Sequence, residues 1–268
     1  MTVVPPLWTS EEVAALTGAV SHTNWHATGV SIDSRTTEPG DLFIPISGPN
    51  YDGHDFIKSA LTKGAIASIT SNSVEDSTKA THLLKVTDTV KALNELGRGR
   101  RIKSNACVIA VTGSVGKTGV KEALGRLLSE QGHAYYNIGS YNNHFGVPLS
   151  LARLPKNADY GVFELGMNHA GELTRLSKIV GPHVAVITTV DIAHSEFFSS
   201  ISDIARAKAE IFTGLQKGGV AVLNRDNQYF GLLYSAALSA GVDNVISFGG
   251  HDEAQFRLTG YNLNPGGS

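Results

Sequence analysis

The chain has 268 residues, enough for one large or two ordinary domains with a substantial core. Its 22 basic and 24 acidic residues leave a net charge of −2, which gives no electrostatic basis for binding nucleic acid or an anionic membrane. Cys107 is the sole cysteine, no apolar run approaches the ~18 residues of a membrane span, and the opening MTVVPPLW lacks a secretory signal pattern. A soluble, cytoplasmic protein without disulfides or membrane insertion is expected.

In chain order, Thr9 with Glu12 reads as a capping box opening a short helix that ends near Gly18. Strand candidates follow at 29–34, 42–46, 65–70 and 82–86, with helical spacing over 54–63 and again from Asp88 to Gly97. Arg98 to Asn105 is basic and glycine-containing without apolar period, which places a boundary there. Two domains are thus expected, 1–103 and 104–268. Within the first, Asp33-Ser34-Arg35 sits at a strand end. Arg35 and the Ser34 hydroxyl could hold a diphosphate or uracil group, or the Asp–Arg pair could simply pin a turn.

The stretch VIAVTGSVGKT, Val108 to Thr118, organises the second domain. A buried strand runs into Gly113-Ser114-Val115-Gly116-Lys117-Thr118, followed by a helix with apolar positions Val120, Leu124, Leu127 and Leu128. Glycines let backbone N–H groups close around phosphate, the helix N-terminus adds positive potential, and Lys117 and Thr118 suit the β/γ-phosphates and magnesium. Next come a polar loop containing Asn142 and Asn143, and a strand YGVFEL. In that strand Glu164 is a carboxylate at the carboxyl end, where an open α/β sheet places ligand-facing groups. The strand VAVITTV leads to His194, a further strand ends near Asn224, and a helix from Ser200 to Lys217 carries Lys208 in the middle of its apolar stripe. That lysine could snorkel, or be desolvated and serve as a neutral amine. The alternation argues for an α/β fold: a small α/β domain, then a mainly parallel, doubly wound sheet.

These motifs, in this order, resemble the Mur ligases of bacterial peptidoglycan synthesis, and among them the MurF type. Thr112 to Lys121 matches the family phosphate loop T-G-S-x-G-K-T-x-x-K, Asn142 to Leu149 matches N-N-x-x-G-V-P-L, Glu164 to Glu172 matches E-L-G-x-N-x-x-G-E, and Ala205 to Phe212 matches A-R-A-K-x-E-I-F. The first domain carries the D-S-R, P-G-D-L-F and D-G-H-D-F strings at Asp33, Pro39 and Asp52. The resemblance implies an ATP-dependent ligase that joins D-alanyl-D-alanine to UDP-N-acetylmuramoyl-tripeptide through an acyl phosphate. Lys117 and the loop Gly113 to Thr118 would hold ATP. Thr118 would bind one Mg2+, and Glu164 and His194 a second, with Lys208 carbamylated as a further oxygen ligand. Asn224 would approach the nucleoside, Ser34 and Arg35 the uridine nucleotide, and Asn142 and Asn143 the substrate.

Two departures from the family pattern stand out: Ser140 after Gly139, where Gly-Asn is common, and Asp191, where glycine is common. Neither is expected to touch a metal ligand. Mur ligases have three domains, so the resemblance also implies that a chain of this length, a monomer, binds nucleotide and UDP-substrate without full turnover. A sibling ligase of the MurE or folylpolyglutamate type, or a nucleotide-binding module without chemistry, are the alternatives.

Overall fold

The computed structural model describes residues 6–72, 82–137, 139–192 and 197–260. They form two compact units, one of residues up to 104 together with Pro148–Asn157, the other of 105–147 and 158 onward. The segment 148–157, assigned from sequence to the second domain, therefore packs with the first.

In the first unit, β1 (Trp8–Thr9) pairs antiparallel with β2 (His26–Ala27), while β3 (Gly29–Ser31), β4 (Asp41–Phe43), β5 (Ala67–Thr70) and β6 (Leu83–Lys85) form a parallel sheet in that order. Helix α1 (Ser10–Thr17) starts with the expected capping box, Glu12 N–H donating to Thr9 Oγ1 and Thr9 N–H to Glu12, and stops at Gly18 in the left-handed region. A 3₁₀ turn at Gly53–Phe56 precedes α2 (Ile57–Thr62), whose Ile57, Ala60 and Leu61 cover Phe43 and Ala65. Asp52 caps that turn and holds the His54 ring at 2.6 Å. The other ring nitrogen of His54 accepts from the Ser71 N–H at 3.1 Å, tying the turn to the end of β5.

Helix α3 runs from Thr89 to Lys103, six residues past the helix expected from sequence. Its buried face is Thr89, Ala92, Leu93, Leu96, Gly97 and Arg100, spaced as a helix requires but built in part from small and charged residues. Gly97 lies so close to the main chain that an added Cβ would sit 2.8 Å from the Pro148 carbonyl oxygen. The Arg100 guanidinium stacks 4.1 Å from the Trp8 ring and donates to the Leu7 carbonyl. The Trp8 indole N–H in turn donates to Ala152 O.

The second unit is built on a seven-stranded parallel sheet. In chain order its strands are β7 (Cys107–Thr112), β8 (Ala134–Tyr136), β9 (Tyr160–Glu164), β10 (Val184–Ile187), β11 (Val220–Asn224), β12 (Asn244–Gly249) and β13 (Phe256–Arg257). Their spatial order is β13-β12-β11-β10-β7-β9-β8. Ile109, Val111, Val162 and Val186 form its core on one side, covered by Val120, Leu124 and Leu128 of α4 (Lys117–Ser129). Leu127, expected on the same stripe, is 65% exposed. The buried centre of α4 is instead Lys121 and Gly125, and Val120 and Leu127 fall on its margin. Helix α5 (Gly146–Ala152) belongs for the most part to the first unit, and α6 (Glu172–Val180), α7 (Ile201–Ala209) and α8 (Phe230–Ser239) belong to the second. Ser200 caps α7 as expected, but the helix tightens to a 3₁₀ turn at Glu210–Gly214 rather than continuing to Lys217. Glu210 there caps α6, accepting from Gly171 N–H at 2.7 Å and Thr174 N–H at 3.1 Å.

Candidate functional site

Strand β7 is flanked by β9 on one side and β10 on the other, and the chain reverses its direction of travel across the sheet here. The loop leaving the carboxyl end of β7 thus lies at a switch point, where doubly wound sheets open a crevice for ligands. In-register pairing of Val111 with Glu164, and of Thr112 with Ile187, brings three strand ends to one level.

The loop itself is held by the exit of β10. Gly113 and Gly116 have φ of 151° and 81°, and a Cβ on Gly113 would overlap the Thr188 hydroxyl. That hydroxyl donates to Val115 O at 2.6 Å. Ser114 donates its N–H to Thr189 O at 2.9 Å and its hydroxyl to Asp191 O at 2.9 Å, while Asp191 N–H returns a bond to Ser114 Oγ at 3.0 Å. Asp191, the departure from the family glycine, thus fastens the loop through main-chain atoms that any residue would supply. Val115 stands exposed at the tip, and α4 begins directly behind Gly116 with the unpaired N–H groups of its first turn.

Glu164 is 1% exposed, and its carboxylate gathers donors from two segments. Oε2 accepts the Thr118 hydroxyl at 2.7 Å; Oε1 accepts Asn142 Nδ2 at 2.7 Å and the Ser140 hydroxyl at 3.1 Å. The Ser140 and Thr118 oxygens are 3.2 Å apart. Ser140 therefore touches an expected metal-ligating side chain, contrary to the sequence expectation, because the turn at Gly139 folds the loop back over the end of β9. A buried carboxylate beside two hydroxyls is an all-oxygen donor set, the kind that magnesium prefers. Among the described residues no group of three or more His, Cys, Asp or Glu side chains gathers as a metal site.

Three lysines surround this carboxylate or its loop. Lys117 Nζ donates to Gly113 O at 2.8 Å and Ser114 O at 3.3 Å; burial lowers its pKa, opposed by the negative charge of Glu164. Lys121, 0% exposed, donates to Gly139 O at 2.7 Å, and burial lowers its pKa against the pull of Glu164 and Glu122. Lys208 is 2% exposed. Burial, reinforced by the positive charge of Lys117, brings its pKa down from 10.5 to about 7, so the sequence alternative of a snorkelling, solvated ammonium does not hold.

Other expected positions fall as follows. His194 lies outside the described residues. Asn224 closes β11 and donates to Thr188 O at 3.2 Å, and neighbouring Asn227 reaches Val190 O at 2.8 Å. Asn143 accepts the N–H groups of Phe145 and Gly146, a capping role at the start of α5. Ser34 is buried in the first unit, and Arg35 forms a two-point pair with Asp33 (Nε–Oδ1 3.0 Å, Nη2–Oδ2 2.7 Å), the turn-pinning arrangement. Sequence reasoning names Lys121 and Ser140 without giving either a role in the site, and does not single out Thr188. Lys121 could have been found from its spacing of four and seven to Gly125 and Leu128.

Comparison with known proteins agrees with this architecture. Residues 111–268 match the model of the Mur ligase middle domain, and residues 26–101 that of the Mur ligase family catalytic domain. The UDP-N-acetylmuramoyl-tripeptide–D-alanyl-D-alanine ligase of Rickettsia prowazekii is 37% identical over 95% of this chain and 56% of its own length. A crystal structure of MurF from Acinetobacter baumannii superposes with a TM-score of 0.84 at 33% identity, covering 98% of this chain and 56% of that one. MurF from Thermotoga maritima in complex with ADP gives 0.70 at 31% identity, over 83% and 50%. The chain spans about half the length of these relatives. With the middle-domain model matching more than half of its residues, in the unit that carries the phosphate loop, the chain belongs to the Mur ligase family.

Proposed function

We propose that this chain is the nucleotide- and UDP-substrate-binding part of a MurF-type ligase, a cytoplasmic, monomeric enzyme joining D-alanyl-D-alanine to UDP-N-acetylmuramoyl-tripeptide at the expense of ATP. The observation that carries this reading is the Thr118–Glu164 hydrogen bond of 2.7 Å directly behind the glycine loop and Lys117. It joins two groups that would bind the metal of a nucleoside triphosphate at the switch point of the sheet, a place suited to phosphates. The ADP complex of the Thermotoga maritima relative supports nucleotide binding by the family.

In this reading the N–H groups of residues 113–118 and the Lys117 ammonium hold the β- and γ-phosphates. Two magnesium sites would neutralise phosphate charge, one at Thr118, beside Glu164, and one at Glu164 and His194 with a carbamylated Lys208. Asn224 faces the nucleoside, Asn142 and Asn143 lie along the substrate side, and residues 1–103 bind the UDP end through Ser34 and Arg35. The tripeptide carboxylate attacks the γ-phosphorus and ADP leaves. The dipeptide amine then attacks the acyl phosphate, releasing phosphate and a proton as the amide forms. Lys208 is prepared for its modification by its lowered pKa: the neutral amine nitrogen bonds to the carbon of CO2, and one proton leaves to solvent. The product is an anionic oxygen ligand in place of a buried cation.

Calorimetric titration with a non-hydrolysable ATP analogue and Mg2+ tests the reading. Lys117→Ala should lose ~2 kcal/mol or more, about thirtyfold in affinity, through loss of charge-assisted bonds to phosphate. Equal affinity of wild type and variant would remove the basis for the assignment.

A further inference from the structure

Glu164 has two oxygens in unequal surroundings. Oε2 meets only the Thr118 hydroxyl, at 2.7 Å, whereas Oε1 is held by Asn142 Nδ2 at 2.7 Å and Ser140 Oγ at 3.1 Å. The Thr118 proton is committed to Oε2 by the shorter distance, so the Ser140 proton goes to Oε1. Its oxygen is left facing Thr118 Oγ1 at 3.2 Å and Asn142 Nδ2 at 3.5 Å.

Ser140 is on an exposed loop, yet its position is fixed from behind. The carbonyl of Gly139 accepts Lys121 Nζ at 2.7 Å and Asn137 Nδ2 at 3.0 Å, two donors on the oxygen immediately before Ser140. Gly139 takes φ of 79°, the left-handed turn that sends the chain back toward β9. Two residues on, the Asn142 carbonyl accepts Gly166 N–H at 2.8 Å, and an added Cβ on Gly166 would lie 2.8 Å from the Asn142 side chain. A buried ammonium and a close glycine contact thus anchor both ends of the span from Gly139 to Asn142, within which the Ser140 hydroxyl points at Glu164.

We propose that Ser140 is a positioning residue of this site: by holding Oε1 it fixes the plane of the Glu164 carboxylate, so that Oε2 and the Thr118 oxygen are presented together to the metal of the bound nucleotide. The inference rests on the ATP·Mg reading above and deepens it. Partners that orient a ligating carboxylate set its affinity for metal, and their loss costs about tenfold or more. Ser140 does this without contributing charge.

The test compares wild type, Ser140→Ala and Ser140→Thr by calorimetric titration with a non-hydrolysable ATP analogue, once with Mg2+ and once in EDTA. Ser140→Ala should weaken the Mg2+-dependent binding about tenfold and leave the metal-free affinity within about twofold. Ser140→Thr keeps the hydroxyl and should stay within about twofold of wild type in both. Unchanged Mg2+-dependent affinity in Ser140→Ala, equal loss with and without metal, or failure of Ser140→Thr to bind like wild type would each overturn the positioning role while leaving the nucleotide reading intact. A wild-type chain with no Mg2+-dependent binding of the analogue would overturn both.

Discussion

Lys208 offers a quantitative test of the site's electrostatics. With its side chain 2% exposed, burial and the positive charge of Lys117 bring its pKa from 10.5 to about 7. At ~1.4 kcal/mol per pH unit, that drop corresponds to about 5 kcal/mol against the charged amine in the folded chain. Between pH 7 and 10.5 the unfolded chain keeps a proton on this amine that the folded chain has released. Stability therefore rises with pH across that window, and the penalty of the buried charge is fully present only below pH 7. Lys208→Met removes the titrating group. Loss of the lysine's own packing is independent of pH, so the change in the stability gap with pH isolates the charge. In CO2-free buffer with EDTA, wild type should gain on the variant by about 2–3 kcal/mol between pH 6 and pH 9. The assay is amide hydrogen exchange of β10 and β11, corrected for intrinsic rates, because both tryptophans, Trp8 and Trp25, lie in the other unit and their fluorescence would report the wrong unfolding. A gap that stays constant over that range would refute the reasoning, and with it the claim that Lys208 is prepared as a neutral amine.

Three further outcomes are expected in the fold itself. The Asp52 carboxylate accepts the His54 N–H, the His54 ring and the Ser47 hydroxyl, which lower its pKa from 3.8 to about 2. Its contribution is present above about pH 4 and is lost as pH falls through about 2. The advantage of wild type over Asp52→Asn in thermal unfolding should accordingly shrink over that interval, and a difference independent of pH would show that the carboxylate charge is not involved. Gly97→Ala should destabilise by about 1–3 kcal/mol in urea unfolding, because the new methyl meets the Pro148 main chain. Gly231→Ala, in α8 with nothing within 4 Å, should stabilise by roughly 0.5–1 kcal/mol, and the same sign for both would contradict the packing argument.

The parts of the site that were legible in the sequence are those where one residue type is demanded by local chemistry. A phosphate loop needs glycine at Gly113 and Gly116 because of φ and close approach, and Lys117 and Thr118 follow at fixed offsets. Glu164 was visible because a carboxylate in an apolar strand must be compensated, and Lys208 because it interrupts a helical stripe. The elements that escaped notice are buried faces made of residues that hydropathy does not register. In α3 the pattern Thr89, Leu93, Gly97, Arg100 has ideal spacing but three of its four residues are polar or small, so the basic run from Arg98 reads in the sequence as a domain boundary. In α4 the centre of the buried face is a lysine and a glycine, and the leucine that looked inward, Leu127, is on the outside.

The support around Glu164 escaped for a different reason. Its donors come from residues 22, 24 and 46 positions away, and the loop that delivers the nearer two is steered by a bond from Lys121 to Gly139 across 18 positions. None of those separations leaves a period in the sequence. Ser140 looked neutral as a departure from the family pattern because its neighbours in the chain are turn residues. Its neighbours in space include two of the groups proposed to hold magnesium, Thr118 and Glu164. A substitution beside a motif can thus act on the motif's chemistry whenever a glycine turn and a buried cation bring it there. The affinity of Ser140→Ala for the metal-bound nucleotide therefore carries more information about this site than a further substitution within the phosphate loop, where loss of binding is expected on charge alone.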